Sequence, residues 1–168
     1  NAGEISVAGS STYQGLGFTL ENTNAVISNK INLAGENTIG IYGKNSIVEL
    51  GALEIAGNNI AKSMGIVGDT TELKIKNGVK INLLNGIDNI GIYGDKVTYT
   101  DTASGAQSNY LTVNLGKGGI GTYLTNLASN TTLKINTITT GNTTGTQLAG
   151  GIYATSTSGN INISGGEI

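Results

Sequence analysis

The sequence Ile-Gly-Ile-Tyr-Gly occurs twice in the chain, at 39–43 in "NTIGIYGKNSIVELG" and at 90–94 in "NIGIYGDKVTYT", with a weaker copy, "MGIVG", between them. Alignment on the first glycine of this motif gives six copies, at Gly17, Gly40, Gly65, Gly91, Gly121 and Gly151. The intervals between them are 23, 25, 26, 30 and 30 residues. A drifting period of this length is typical of a solenoid whose turns accept loop insertions.

Short alternating segments that end in glycine lie between the copies: "ISVAG", "INLAG", "LEIAG", "INLLNG", "LTVNLG" and "INISGG". A third such segment often precedes them, as in "SIVELG" (46–51) and "TELKIK" (71–76). Alternation bounded by turn residues indicates strands, and no apolar stripe of helical period is long enough for a helix. The pattern predicts an all-β fold, a parallel β-helix of about six coils of 23–30 residues with three short strands per coil, as one segment over residues 1–168. A sandwich or barrel of hairpins is the alternative, but it would not need the repeat.

Period-two alternation predicts which residues of each strand face the core. We expect the residues on either side of the motif glycine to point inward: Leu16/Phe18, Ile39/Ile41, Met64/Ile66, Ile90/Ile92, Ile120/Thr122 and Gly150/Ile152. The glycine and the residue two positions later then share the outer face. There Tyr42, Tyr93, Tyr123 and Tyr153 form a column, because successive coils lie about 4.8 Å apart.

The other strands follow the same rule. We expect these residues to face inward: Ile31, Leu33, Leu53, Ile55, Val79, Ile81, Leu83, Leu111, Val113, Leu115, Leu133, Ile135, Ile161 and Ile163. We expect these to face outward: Lys30, Asn32, Glu54, Lys80, Asn82, Thr112, Asn114, Lys134, Asn136 and Asn162.

Composition excludes several functions. The sequence has no Cys, so it uses no disulfide and no thiolate metal site. The net charge is −2, all nine basic residues are lysines, and no basic patch interleaved with aromatic residues indicates nucleic acid. No apolar run is long enough to span a membrane. A Ser-His-Asp arrangement is impossible because the chain has no His.

The strings "NTIGIYGKNSIVELG", "NIGIYGDKVT" and "GGIYATSTSGNINISGG" resemble the passenger repeats of the large fusobacterial autotransporter adhesins of type V secretion. The resemblance covers nearly the whole chain and implies a right-handed β-helix displayed outside the outer membrane. It also implies attachment to a host cell-surface glycan or protein receptor, or to a partner bacterium. The signal sequence and the C-terminal membrane barrel of that family are not found here. We therefore expect a monomeric passenger segment, excised from a longer repeat array and anchored to the outer membrane through the missing barrel.

Two other functions stay open at this point: a non-binding spacer of an autotransporter, and a polysaccharide-active β-helix enzyme. The support for an enzyme is one carboxylate pair, Asp69 and Asp95, at matched positions on adjacent coils roughly 5 Å apart. That spacing suits a retaining glycosidase or a shared cation. The simpler interpretation is that both are solvated turn residues, with Lys44 one coil away softening their repulsion. We predict no catalysis, no cofactor and no metal site.

Ligand binding is assigned to two features. The first is the tyrosine column (Tyr42, Tyr93, Tyr123 and Tyr153), which either stabilises the surface by stacking or offers aromatic faces beside the glycines to a sugar ring or a partner side chain. The second is a pair of loop insertions, near 100–109 and 139–149, because loops on a rigid scaffold often carry binding. Within the first insertion we assign Asp101 and Gln107 to the ligand.

Overall fold

The computed structural model describes residues 3–127, 129–141, 149–157 and 160–168. These residues form seventeen strands and one turn of 3₁₀ helix at Gln107–Asn109. The strands are β1 (Glu4–Gly9), β2 (Gly15–Glu21), β3 (Asn24–Ile27), β4 (Lys30–Gly35), β5 (Thr38–Lys44), β6 (Ile47–Leu50), β7 (Glu54–Asn58), β8 (Met64–Asp69), β9 (Glu72–Ile75), β10 (Lys80–Ile87), β11 (Ile90–Asp95), β12 (Thr98–Asp101), β13 (Leu111–Lys117), β14 (Ile120–Leu127), β15 (Thr131–Gly141), β16 (Gly150–Ser156) and β17 (Ile161–Glu167).

The strands stack into three parallel sheets that wind as a β-solenoid of about six turns. Sheet 1 has the order β1-β4-β7-β10-β13-β15-β17, sheet 2 the order β16-β14-β11-β8-β5-β2, and sheet 3 the order β12-β9-β6-β3. The predicted fold class is therefore confirmed. Within the described residues, no helix is long and apolar enough to cross a membrane.

Sheet 2 contains all six copies of the glycine motif. Its strands pair in parallel, with Leu16 opposite Ile39, Ile39 opposite Met64, and so on through Ile90 and Ile120 to Gly150. The prediction that the six copies stack in register is confirmed. Residues at matched positions of the sequence repeat are therefore paired on neighbouring strands of the sheet.

Isoleucine, leucine and valine fill a single core that runs along the axis of the solenoid. The residues predicted to face inward on the strands of sheet 1, or just before them, are buried over the first five coils. Ile163 is an exception, because it lies 52% exposed on β17, which pairs with β15 alone among the described strands. Two buried hydroxyl groups, those of Tyr99 and Thr122, have no hydrogen-bond partner in the described part of the chain.

The predicted phase of the glycine motif is wrong on the N-terminal side of the glycine. The glycine points into the core: a Cβ placed on Gly40 would lie 3.1 Å from Cδ1 of Ile55, a core residue of sheet 1. Ile41, immediately after it, also points inward and is fully buried. Because two consecutive residues face the core, the residue before the glycine is on the outer face. Leu16 is 44% exposed, and Ile39, although buried, lies outside the core cluster.

The same correction applies in the other coils. The residues before the glycine that were expected to be in the core, but lie outside the core cluster on the outer side of sheet 2, are Leu16, Ile39, Met64, Ile90 and Ile120. The physical reason is volume. A glycine and an isoleucine together fill the space of one side chain, so the strand can turn two successive residues inward only where one of them has no side chain.

A buried polar ladder fixes the corner where sheet 2 begins. The hydroxyl of Thr38 donates to Ser63 Oγ at 2.8 Å, and the N–H of Ser63 donates to Oδ1 of Asn89 at 2.9 Å. The amide of Asn89 in turn donates to the carbonyl of Ile60 at 3.1 Å. Each of these buried side chains is paired, so the corner avoids the cost of unsatisfied polar groups.

The corner where sheet 2 ends is a left-handed residue in each of the first five coils. The residues are Asn22, Asn45, Thr70, Lys96 and Asn126, with φ between 49° and 53°. Asparagine tolerates this conformation better than other non-glycine residues, which explains its abundance in a chain without proline. Backbone hydrogen bonds continue from coil to coil through the corner, as from Asn45 N to Asp69 O at 3.1 Å.

Candidate functional site: the outer face of sheet 2

The outer face of sheet 2 carries two adjacent columns of apolar side chains. One column holds the residue two positions after each glycine: Thr19, Tyr42, Val67, Tyr93, Tyr123 and Tyr153, paired in register through the sheet. The other holds the residue before each glycine: Leu16, Ile39, Met64, Ile90 and Ile120. No outward side chain separates the columns, because the two residues between them face the core. We call the two columns together the tyrosine strip.

The tyrosines at one end of the strip are stacked. The ring centroids of Tyr93 and Tyr123 are 5.7 Å apart with the planes 4° from parallel, and those of Tyr123 and Tyr153 are 4.6 Å apart at 12°. The faces of the middle ring are therefore covered by its neighbours. A sugar ring cannot stack on Tyr123, and a partner meets the edges and hydroxyl groups of the rings.

The tyrosine strip deepens into a groove where the stack meets the last coil. Its volume is about 350 Å³, and Ile120, Tyr123, Ile152 and Tyr153 line it. Tyr153 is 47% exposed, the most exposed ring of the stack. An apolar groove bounded by tyrosine hydroxyls suits an apolar side chain of a partner with a polar group beside it.

The sequence predicted the tyrosine half of this strip and missed the aliphatic half. The tyrosine side chains lie outside the core cluster on the outer face, as expected. The available signal for the other half was the recurrence of Thr38, Ser63 and Asn89 two positions before the glycine. A buried ladder of these residues requires the next residue in each coil to face outward.

Asp69 and Asp95 are in register on adjacent strands, as the matched positions predicted. Oδ1 of Asp95 accepts hydrogen bonds from the side chains of Thr125 and Asn126, both at 2.8 Å. These bonds, that of Asn126 above all, lower the pKa of Asp95. A general acid needs a raised pKa, so Asp95 is not arranged as one.

Asp69 has a different hydrogen-bond environment, accepting from the hydroxyl of Thr70 at 3.0 Å. Over the described ranges, no three His, Cys, Asp or Glu side chains are grouped so that they could hold a metal ion. Asp95 is therefore not placed as the acid of a glycosidase, and within the described residues the pair does not belong to a cluster of three metal-ligating side chains.

The carboxylate of Asp101 is hydrogen-bonded to the protein backbone. Asp101 continues the inward column of Ile27, Leu50 and Ile75 in sheet 3. Its Oδ1 accepts the N–H of Ala103 at 2.9 Å, and its Oδ2 accepts the N–H of Lys134, one coil on, at 3.0 Å. Burial raises the pKa of this carboxyl group. Both carboxylate oxygens therefore accept backbone N–H groups, one just after the end of β12 in sheet 3 and one on β15.

The rest of the first insertion is tied to the solenoid. Asn77 Oδ1 accepts the N–H of Ser104 at 2.8 Å, and Asn109 O accepts the N–H of Gly78 at 2.9 Å. Gln107 is exposed at the start of the 3₁₀ turn, with its side-chain amide close to the backbone of Gly166. The structure does not bring Asp101 and Gln107 to the tyrosine strip. Of the second insertion, residues 142–148 lie outside the described residues.

Comparison with protein-family models, with curated proteins and with solved structures found no match to this chain. The geometry of the solenoid and of its outer faces therefore supplies the argument for function.

Proposed function

We propose that this chain is a rigid segment of a bacterial surface adhesin, the passenger of a type V autotransporter, and that it attaches to a host cell or another bacterium through the tyrosine strip. The observation that supports the proposal is the stacked row of Tyr93, Tyr123 and Tyr153 beside an outer column of aliphatic side chains. Contiguous apolar surface on the outside of a protein marks an interaction site.

The strip has the properties of a preorganised interface. Its side chains are fixed by the sheet and by one another, so binding costs little conformational entropy. Tyrosine is enriched among the residues that dominate binding energy. Because the ring faces are stacked, the strip suits a protein receptor that inserts an apolar side chain into the groove at Ile120 and Tyr153.

The alternative proposal is a spacer that holds a binding tip away from the cell. The stacking of Tyr93, Tyr123 and Tyr153 also favours this role, since a ladder of identical side chains stabilises neighbouring coils without any ligand. The two proposals differ in what the loss of the rings does to attachment.

Attachment of the fluorescently labelled chain to cultured epithelial cells and to co-aggregating bacteria tests the adhesin. The variant carries Tyr123→Ser and Tyr153→Ser, and the matched control carries Tyr13→Ser, a tyrosine 59% exposed outside the strip. The adhesin proposal expects at least a tenfold loss of bound protein for the double variant alone, with an unchanged circular dichroism spectrum. Full attachment of the double variant would leave the spacer as the explanation of the ladder.

We propose no catalytic activity. The lowered pKa of Asp95 supports this to the extent that it removes Asp95 as the acid of a glycosidase pair, whose other member is an ionised carboxylate. The chain is incubated with pectins, glycosaminoglycans and mucin glycans, and the reducing ends released are measured. Turnover that disappears in Asp69→Ala or Asp95→Ala would contradict the proposal.

A further inference from the structure

The outer face of sheet 1 carries a polar column that is interrupted at one coil. In register, the column reads Asn32, Ala56, Asn82 and Asn114. Asn114 Nδ2 donates to Asn82 Oδ1 at 2.8 Å, and the hydroxyl of Thr139 donates to Asn114 Oδ1 at 2.7 Å. This is a side-chain ladder, and Ala56 breaks it, because alanine has no group to continue it.

The break leaves two polar groups without a ladder partner, one on the strand at each side of Ala56. The amide nitrogen of Asn32 donates to Glu4 on the first strand, so its side-chain carbonyl oxygen is left for another partner. The carbonyl oxygen of Asn82 accepts from Asn114, so its NH₂ group is left for another partner. Neither group has a protein partner in the part of the chain that is described. The two residues are two coils apart, about 9–10 Å between their backbones.

Packing from below keeps the floor of this break shallow and fixed. Gly57 occupies the inward position that Leu33 and Leu83 hold in the neighbouring coils. Ile60 fills the space that a leucine there would take: a Cβ on Gly57 would lie 2.5 Å from Cδ1 of Ile60, which is fully buried. The result is an open depression of about 750 Å³, with Ala56 and Gly57 in its floor and Leu84 at its side.

The charges around the depression cancel. Glu54 is exposed at its rim, and its register neighbours in sheet 1 are Lys30 on one side and Lys80 on the other. The ammonium group of Lys30 lies 3.9 Å from the carboxylate of Glu4, which supplies the second negative charge. A ligand with a net charge gains little here. The preferred ligand is neutral, donates and accepts hydrogen bonds at closely spaced positions, and presents an apolar patch to the floor.

We infer that the break in the asparagine ladder at Ala56 is a binding site for one neutral pyranose unit of a saccharide, held between the side-chain carbonyl of Asn32 and the side-chain NH₂ of Asn82. Each sugar hydroxyl both donates and accepts, so one ring satisfies both groups. The C–H face of the ring covers Ala56 and Leu84, and Glu54 accepts from a further hydroxyl. The site is on a different sheet from the tyrosine strip and does not depend on the adhesin proposal.

Substitution of Ala56 by asparagine tests the site. We expect the new side chain to continue the ladder from Asn32 to Asn114, to hydrogen-bond to both polar groups and to leave the fold intact. The matched control is Ala8→Asn, an exposed alanine on β1 outside the depression. Both variants and the wild-type chain, labelled with ¹⁵N, are titrated with galactose, N-acetylglucosamine, lactose and cellobiose, and amide spectra are recorded.

The expected result is saturable shifts of the side-chain amides of Asn32 and Asn82 and of the backbone amide of Ala56, with at least one of these sugars. A dissociation constant on the order of 1 mM fits a single ring held by few hydrogen bonds on an open surface. The shifts should persist in Ala8→Asn and in the Tyr123→Ser, Tyr153→Ser variant, and vanish in Ala56→Asn.

Three results would overturn the inference: no saturable shift with any of the four sugars, shifts unchanged in Ala56→Asn, or equal shifts with N-acetylglycinamide. The last compound offers amide donors and acceptors without a hydroxyl-bearing ring, so it reports recognition of any amide. Because the strip variant is titrated in parallel, failure of this site is distinguished from failure of the adhesin proposal.

Discussion

Replacement of Thr122 by valine should stabilise the protein. Thr122 follows the motif glycine in β14 and stands in register between Ile92 and Ile152, in a column of the core. It is fully buried, and its hydroxyl has no hydrogen-bond partner in the described part of the chain. A buried hydroxyl without a partner costs about 1–3 kcal/mol. Valine keeps the branched shape and replaces the hydroxyl with a methyl group.

We therefore expect Thr122→Val to raise the free energy of unfolding by about 1–2 kcal/mol, which is about 2–8 °C in Tm for a chain of this size. The matched control is Thr71→Val. Thr71 is also buried, but its hydroxyl donates to the carbonyl of Asp69 at 2.9 Å, so its loss should cost about 1 kcal/mol. Urea unfolding followed by circular dichroism measures both. A loss of stability in Thr122→Val, equal to that of Thr71→Val, would refute the claim that the hydroxyl is unsatisfied.

Three further outcomes follow from the same geometry. Ile41→Ala should cost about 2–4 kcal/mol in urea unfolding because it leaves a core cavity, whereas Ile39→Ala, on the outer face, should cost about 1–2 kcal/mol; equal costs would contradict the corrected facing. Tyr99→Phe should be neutral or stabilising by about 1 kcal/mol in thermal unfolding, since the buried phenol has no partner among the described residues. Burial raises the folded-state pKa of Asp101, so its contribution to stability falls as pH rises from the unfolded-state pKa to the folded one. Asp101→Asn removes that fall, and its stability, measured from pH 3.5 to 7, should rise with pH more steeply than that of the wild type.

The strand register of the solenoid was predictable because the sequence repeats the glycine motif once in each coil. Aligning Gly40 with Gly65 and Gly91 in the sequence places these residues on neighbouring strands, and the structure pairs the flanking residues in that way. Burial of Ile41 and Ile92 followed from alternation. Both predictions need only the local chain, since in a solenoid each coil contacts its neighbours along the sequence.

The phase error at the glycine arose because alternation was carried through a residue without a side chain. Gly40 faces Ile55 across the core, and that contact belongs to another sheet, so the sequence of β5 alone does not contain it. The role of Asp101 was missed for the same reason. Its partners are the N–H groups of Ala103 and of Lys134, and the second lies one coil away.

The corrected phase also changes which surface features indicate function. The inward glycine is required by packing: a Cβ on Gly65 would lie 2.7 Å from the carbonyl oxygen of Gly91 and 2.8 Å from Cγ2 of Ile81. With the glycine and the next residue both inward, the residues on either side are brought together outside. The two columns of the tyrosine strip are therefore a consequence of how the core is filled, and recurrence alone does not make them a binding site.

Departures from the repeat carry the stronger functional signal in a structure of this kind. A tyrosine that stacks on the tyrosine of the next coil already has its interaction partner within the solenoid. The same is true of an asparagine in an unbroken ladder. Ala56 forms neither contact, since it leaves the carbonyl of Asn32 and the NH₂ group of Asn82 without the partner that a continued ladder would supply. The next residue, Gly57, faces the core, where Ile60 fills the space that a larger side chain would take. The short side chain of Ala56 leaves a depression on an otherwise regular face, and the core beneath it stays filled, which is why we place the saccharide there.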